Sequence, residues 1–328
     1  MAGLAALSDE LCARGYAGRL RVGEPLARHT TFRIGGAADL LLVARRCEEL
    51  GEWVALAHEH RVPFLIIGAG SNLLVADGGV RGLTIVNACR EFSLDTYGQL
   101  WADAGTSLAQ LARISARQGW AGLEWAVGIP GTLGGAVVGN AGAFGGCMAD
   151  VIRQVLLLQP DGRKETLDAR ELAYDYRSSA LKRAPRLARP VVLRALLELR
   201  PGDPATLAER MRQIQAQRRA QQPRGHCAGS VFRRTARYPA GFLIDRAGLK
   251  GSRFGDAVVS PKHANFIMNA GAATAADVLA LIEYVRRVVW EQFQEDLQPE
   301  IEFVGDWADL PMRPKEVMRA SSIQIDRK

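Results

Sequence analysis

Two glycine-rich stretches carry the clearest chemical signal in the chain. In IIGAGSNLL (66–74) two glycines follow an apolar run that reads as a strand. Glycine tolerates positive φ and lets backbone N–H groups come close to an anion, so such a turn can cradle a phosphate. Alone it reads equally well as a tight turn between strands. It departs from the dinucleotide pattern G-x-G-x-x-G, because Leu73 stands at the third glycine, and no GxxxxGK[ST] occurs anywhere. The second stretch, GIPGTLGGAVVGNAGAFG (128–145), is longer, with Pro130 fixing one bend. Two such segments in separate α/β units can wrap a diphosphate and a flat ring between them. Ordering so many glycines costs conformational entropy, which a tightly held nucleotide cofactor would offset.

A membrane span is the competing reading of the second stretch, since no charge lies between Glu124 and Asp150. Gly131, Gly135 and Gly139 even repeat the spacing of packed membrane helices. Pro130, Asn140 and the many glycines favour irregular backbone instead, which lipid does not tolerate. The stretch is expected to be a system of loops.

The remaining chemistry-bearing residues are less specific. Glu300 and Glu302 in QPEIEF alternate with Ile301 and Phe303, so a strand would put both acids on one face, and spacing does not choose between them. Ser230 in AGSVF reads by itself as a loop cap, and Arg177 in YDYRSS as a surface arginine. His29 and His263 read as structural. Five scattered cysteines without CxxC give neither a disulfide framework nor a zinc site, and no His, Cys and carboxylate cluster has metal spacing. Reduced thiols in a cytosol are expected. The N-terminus, with Asp9 and Glu10, has no signal-peptide pattern. A net charge of +7 over 328 residues is spread along the chain, densest at Arg218, Arg219, Arg224, Arg233 and Arg234. With aromatics at 7%, this argues against nucleic acid and for an anionic small molecule.

The elements that must position these residues alternate. DLLLV (39–43), FLII (64–67), LTIV (83–86), LWADAG (100–105), VIRQVLLL (151–158) and PVVLRALLELR (190–200) read as strands. CEELGEWVALAHEH, a segment from Ser107 to Gln118, LAERMRQIQAQRRAQQ and a segment opening at Thr274 read as helices. Asp161-Gly162 marks a hairpin, and Thr274 with Asp277 a capping pair. AVVS and NFIMN are short strands, and PEIEFVG (299–305) closes the pattern. PGDPA (201–205) is the clearest boundary.

HTTFRIGGAADLL (29–41), IIGAGSNLLVADGGVRG (66–82), GLEWAVGIPGTLGGAVVGNAGAFGG (122–146), YDYRSSALK (174–182), AGSVFRR (228–234), AGFLIDRAGLKG (240–251), SPKHANFIMN (260–269) and LQPEIEFVG (297–305) follow one another in a family's order. Together the chain resembles the UDP-N-acetylenolpyruvoylglucosamine reductases, flavoenzymes of bacterial peptidoglycan synthesis. The short linker between YDYRS and AGSVF resembles their shorter, second type. Thr235 stands where many members carry proline, so the loop there is expected to differ.

The resemblance implies a two-subdomain FAD-binding fold of the vanillyl-alcohol-oxidase type plus a C-terminal α+β substrate domain. The expected division is 1–20 as an N-terminal helix or extension, 21–88 and 89–202 as the FAD-binding subdomains, 203–306 as the substrate-binding domain, and 307–328 as a polar tail. FAD is expected on Gly68, Ala69, Gly70, Ser71, Asn72, Gly128, Pro130, Gly131, Gly134, Gly135, Asn140, Gly142 and Ala143. It is expected to be non-covalent, since GAGSN offers no His or Cys. The implied reaction passes hydride from NADPH through FAD to an enolpyruvyl ether. By resemblance Arg177 faces the substrate carboxylate, Ser230 donates the proton, and Glu300 is the family's glutamate, able if protonated to hydrogen-bond the enolate. Tyr176, Arg233 and Arg234 are expected at the substrate and NADPH phosphates. A monomer without metal, nucleic-acid or membrane partner is expected. The rivals are a hydroxy-acid oxidase on the same fold, which would need a base such as His in the C-terminal domain, and a non-catalytic nucleotide-binding regulator.

Overall fold

The computed structural model describes residues 2–185 and 189–308; all but the first two residues of the expected tail lie outside them. The chain forms two compact units, Met1–Val22 with Leu40–Ala69 and Gly82–Ala220, and Gly23–Asp39 with Gly70–Arg81 and Gln221–Lys328.

A four-stranded sheet, made mostly of first-unit residues, runs in the order Arg21–Pro25, Ala37–Ala44, Val80–Asn87, Phe64–Ile67. FLII lies parallel to Leu83–Val86. Against it pack helix α1 (Ala2–Leu11) and helix α2 (Cys47–Glu59). Their apolar stripes meet at Leu7, Leu11, Leu50, Trp53 and Ala57, all fully buried. Glu49 fixes the start of α2: its carboxylate accepts the Arg45 N–H at 3.0 Å and is clasped by both Arg19 nitrogens at 2.8 and 3.0 Å. That fork holds the Glu49 pKa down at about 2, with the Arg19 hydrogen bond the largest cause.

A second sheet in the same unit is antiparallel throughout, in the order Lys164–Asp168, Ile152–Leu158, Val191–Glu198, Gln99–Asp103, Phe92–Leu94. Its hairpin turns at Gly162, where φ is +85°. Helix α3 (Leu108–Arg117) starts where Ser107 accepts the Gln110 N–H. Helix α4 (Leu133–Gly139) lies inside the glycine-rich run. A one-turn helix, α5 (Ala180–Arg183), follows the YDYRS turn. Helix α6 (Pro204–Gln221) places Leu207, Met211 and Ile214 in this unit's core. The segment after PGDPA therefore packs with the first unit, and the division falls after Ala220 rather than at 202/203.

The second unit packs helix α7 (Ala240–Arg246) and helix α8 (Ala275–Phe293) around one apolar core with Phe32, Ile34, Leu74 and Phe232. Thr274 and Asp277 form the capping box that the sequence predicts, and Asp77 adds a second cap by accepting the Ala275 and Ala276 N–H groups. Arg253–Phe254, Ala257–Val259 and Ile267–Asn269 form a small antiparallel sheet. Glu302–Val304 pairs in parallel with Leu73–Val75. Trp307 stands edge-on to Phe303 and packs on the same core.

Candidate active site

Gly68 of the first glycine-rich segment meets the second segment within the first unit. A Cβ on Gly68 would stand 2.2 Å from the Thr132 hydroxyl, so only glycine admits this approach. The second segment is not wholly a loop, as its composition suggests. LGGAVVG closes into α4 because Leu133, Ala136 and Val137 bury one face while three glycines and the half-buried Val138 make up the rest. Gly134 lets this helix settle on Ala104: its N–H donates to the Ala104 carbonyl at 2.8 Å, and an added Cβ would come within 2.9 Å of the Ala104 Cβ. Gly134 thus makes a close packing of the kind the third glycine of G-x-G-x-x-G makes, in another segment.

Gly135, Gly139 and Gly145 behave differently. A Cβ on Gly135 would meet only the Thr132 hydroxyl, at 4.0 Å, and one on Gly139 or Gly145 nothing within 4 Å. Packing therefore does not demand glycine there. An open, Cβ-free surface is what a flat or phosphorylated ligand requires, so these residues fit a nucleotide cofactor. Gly128, Gly131 and Gly145 sit at φ of +78°, +147° and +85°, which fixes the bends on either side of α4.

Asn140 is committed to the protein. It ends α4 in the left-handed region at φ +43°, accepts the Ala149 N–H at 3.1 Å and donates to the Asp175 carbonyl at 3.0 Å. It thereby anchors the turn that carries Arg177. Gly142 and Ala143 form one side of a two-residue hairpin with Gly146 and Cys147. The Arg177 turn is closed by reciprocal bonds between Asp175 and Ser178, both 3.1 Å. Arg177 occupies it at φ +53°, a conformation that costs a non-glycine residue about 1–3 kcal/mol. Tyr176 beside it is half exposed, its ring 5.9 Å from the Arg177 guanidinium.

In the second unit the polar residues are drawn together by backbone pairing. Gly70, at φ +60°, would clash with the His29 carbonyl at 2.2 Å if it carried a Cβ, and its own carbonyl accepts the Thr31 N–H. Asn72 accepts the Glu302 N–H at 2.8 Å and donates to the Glu300 carbonyl at 3.3 Å. Glu300 in turn donates its N–H to the Val231 carbonyl at 2.7 Å, next to Ser230. Ser71, Asn72, Ser230 and Glu300 thus lie on neighbouring segments. Glu300 does not share a strand face with Glu302, because the strand begins only at Glu302. The bridge between Phe232 and Pro299 brings the backbone at Glu300 alongside the serine segment.

Asn265 escaped the sequence reading. Its carbonyl accepts the Val231 N–H, and its side chain accepts from Phe232 N–H at 2.9 Å and donates to Phe232 C=O at 2.8 Å. An asparagine inside the apolar run NFIMN was the available signal. Gly229, at φ +77°, gives Ser230 its entry angle. Arg233 donates its N–H to the Gln298 carbonyl and, among the described residues, buries its Nε without a partner, while Arg234 is exposed. Thr235 replaces a proline's rigidity with bonds of its own: its hydroxyl accepts the Arg237 and Tyr238 N–H groups, and its N–H, which proline lacks, donates to Tyr238. His29 meets Glu24 at 3.1 Å, and burial pulls the His263 pKa down. Among the described residues no cluster of His, Cys, Asp and Glu could hold a metal, and no helix is long and apolar enough to cross a membrane.

Residues 38–168 match the FAD binding domain family, and residues 221–304 match the C-terminal domain of UDP-N-acetylenolpyruvoylglucosamine reductase. The UDP-N-acetylenolpyruvoylglucosamine reductase of Moorella thermoacetica is 44% identical over 92% of this chain and 99% of its own length. The chain belongs to the UDP-N-acetylenolpyruvoylglucosamine reductase family. The Synechococcus sp. reductase is 43% identical over 89% of this chain and 93% of its own. The crystal structure of the Thermus caldophilus reductase aligns with a TM-score of 0.74 at 37% identity, covering 87% of this chain and 99% of that one. Membership of this reductase family makes the chain an FAD oxidoreductase, and the open glycine surface around α4 lies within its FAD binding domain.

Proposed function

We propose that this chain reduces the enolpyruvyl ether of UDP-N-acetylenolpyruvoylglucosamine to UDP-N-acetylmuramate with NADPH, as a cytoplasmic monomer in cell-wall precursor synthesis. The observation that carries this reading is the bond from Glu300 N–H to Val231, which aligns the acid with the serine segment inside the domain matched to the reductase C-terminal family. The glycine surface at Gly135, Gly139 and Gly145 would hold FAD without a covalent link, and the bound flavin would supply hydride transfer between NADPH and the substrate.

The chain's own residues handle the charge and the proton. As hydride reaches the carbon beta to the carboxylate, the alpha carbon gains negative charge that spreads into an existing carboxylate. Arg177 offers a planar fork for that carboxylate, and its constrained turn fixes the direction of the fork. Ser230 delivers the proton to the alpha carbon, and the strongly basic carbanion makes a weak hydroxyl acid sufficient. Glu300, held protonated beside the near-dianion, donates a hydrogen bond to the enolate. Tyr176, Arg233 and Arg234 serve the diphosphate of the sugar nucleotide and the phosphates of NADPH. Hydride and proton together saturate the double bond and leave a lactyl ether.

Anaerobic titration tests the reading. NADPH should bleach the flavin, and UDP-N-acetylenolpyruvoylglucosamine should restore its oxidised spectrum stoichiometrically. A flavin that NADPH bleaches but the sugar nucleotide leaves bleached would overturn the substrate assignment.

A further inference from the structure

Among the described residues, Arg218 is a cation taken partly out of water without an acid to meet it. It lies in the last turn of α6 and is half-buried. Its guanidinium carbon is 5.9 Å from the centre of the Phe144 ring. A Cβ on Gly128 would stand 3.5 Å from its Nε and 3.6 Å from its Cδ. Both ends of the glycine-rich run, the Gly128 turn and Phe144, therefore border one guanidinium.

Two other arginines that are partly or fully buried have carboxylates: Arg194 has Asp103 at 2.8 Å and Arg286 has Asp296 at 3.0 Å. For Arg218 the described residues provide neither an ion pair nor a hydrogen bond, and burial pulls its pKa below the ordinary arginine value with no opposing cause. Desolvating a charge without a partner is costly. The carbonyl end of α6 supplies only a fraction of a negative charge. The Phe144 face holds the guanidinium plane on one side and leaves its N–H fork available for a second, planar-recognised anion.

We propose that Arg218 binds the diphosphate of the flavin cofactor at the Gly128 turn. This rests on the functional reading above, in that it takes the glycine surface to be the FAD site. The fork suits a diphosphate, because two adjacent phosphate oxygens can each accept an N–H. Gly128, at φ +78°, leaves the turn without a side chain where a Cβ would stand 3.5 Å from the Arg218 Nε.

The test compares ligands that differ in phosphate. FAD and riboflavin are titrated by fluorescence quenching into deflavinated wild-type protein and the R218Q and R218K variants, with inorganic pyrophosphate as a competitor. R218Q should bind FAD about 10- to 100-fold more weakly, the range for losing charge-assisted hydrogen bonds, and riboflavin within about twofold of wild type. Pyrophosphate should slow FAD rebinding to wild type and not to R218Q. R218K, whose compact ammonium cannot fork, should fall between the two. If R218Q does not fold, the same FAD-selective loss is required of R218K. Equal losses for FAD and riboflavin would place Arg218 at the ring or in the fold alone and overturn the proposal, as would undiminished FAD binding. A KM for NADPH raised with FAD affinity intact would move the arginine to the nicotinamide nucleotide and also overturn it. Wild-type protein that binds no FAD would sink the functional reading itself.

Discussion

Neighbouring glycines of α4 should respond to alanine with opposite signs. In Gly135→Ala the new methyl would find only the Thr132 hydroxyl, 4.0 Å away, and the residue is helical without a positive φ. Removing a mid-helix glycine lowers backbone entropy in the unfolded chain and is worth about 0.5–1 kcal/mol. At the upper figure the folded to unfolded ratio of the apoprotein rises about fivefold, and Tm by roughly 2–4 °C. The cofactor-loaded protein should lose, because the methyl intrudes on the surface proposed for FAD. An overpacked methyl costs about 1–3 kcal/mol, so FAD affinity should fall roughly 5- to 150-fold. Gly134→Ala is the control: its Cβ would lie 2.9 Å from the Ala104 Cβ, so the apoprotein itself should be destabilised. Thermal melts of deflavinated protein and fluorescence titration with FAD read the two effects separately. A Gly135→Ala apoprotein that is less stable, or one that keeps wild-type FAD affinity, would refute the assignment of that open surface to the cofactor.

Gly70→Ala combines a left-handed φ with a 2.2 Å approach to the His29 carbonyl, so the loop must move by about 1 Å and stability should drop by more than the 1–2 kcal/mol of the backbone alone; urea unfolding measures it. Ser230→Ala should leave flavin reduction by NADPH nearly intact and slow reoxidation by the sugar nucleotide about 10²–10⁴-fold in stopped flow. In Glu300→Gln the pH–rate profile of reoxidation should lose one ionisation, and an unchanged profile would count against a protonated Glu300. Glu49 binds its proton more weakly folded, near 2, than unfolded, near 4.5. Its stabilisation is therefore complete above about pH 4.5 and lost as pH falls toward 2. Glu49→Gln should flatten the acid limb of a pH–Tm curve across that window.

Long-period patterns were legible in the sequence because burial writes them there. α2, α3 and α8 show apolar residues at helical spacing and, in α3 and α8, a hydroxyl cap. α4 was hidden, since Gly, Ala and Val give no amphipathic contrast when most of the helix is made of small residues. The run LAERMRQIQAQRRAQQ announced a helix in α6 without saying which core its Leu207, Met211 and Ile214 would join. Composition found the glycine loops but could not separate glycines that admit protein, such as Gly68 and Gly134, from those that leave space, such as Gly135. Nor could it place Asn72 beside Glu300, a neighbour more than two hundred residues away, because ladder register over such a distance leaves no local trace.

The parallel pairing of Leu73–Val75 with Glu302–Val304 sets the order of events during synthesis. A ribosome adding about 5–20 residues per second releases the earlier strand on the order of 10–50 s before its ladder mate exists. Through that interval Phe32, Ile34 and Leu74 have no finished core to enter, while α2 and its sheet can already consolidate. The nascent chain thus presents sticky apolar residues at its leading portion, and chaperone occupancy there should end abruptly once residue 304 clears the exit tunnel.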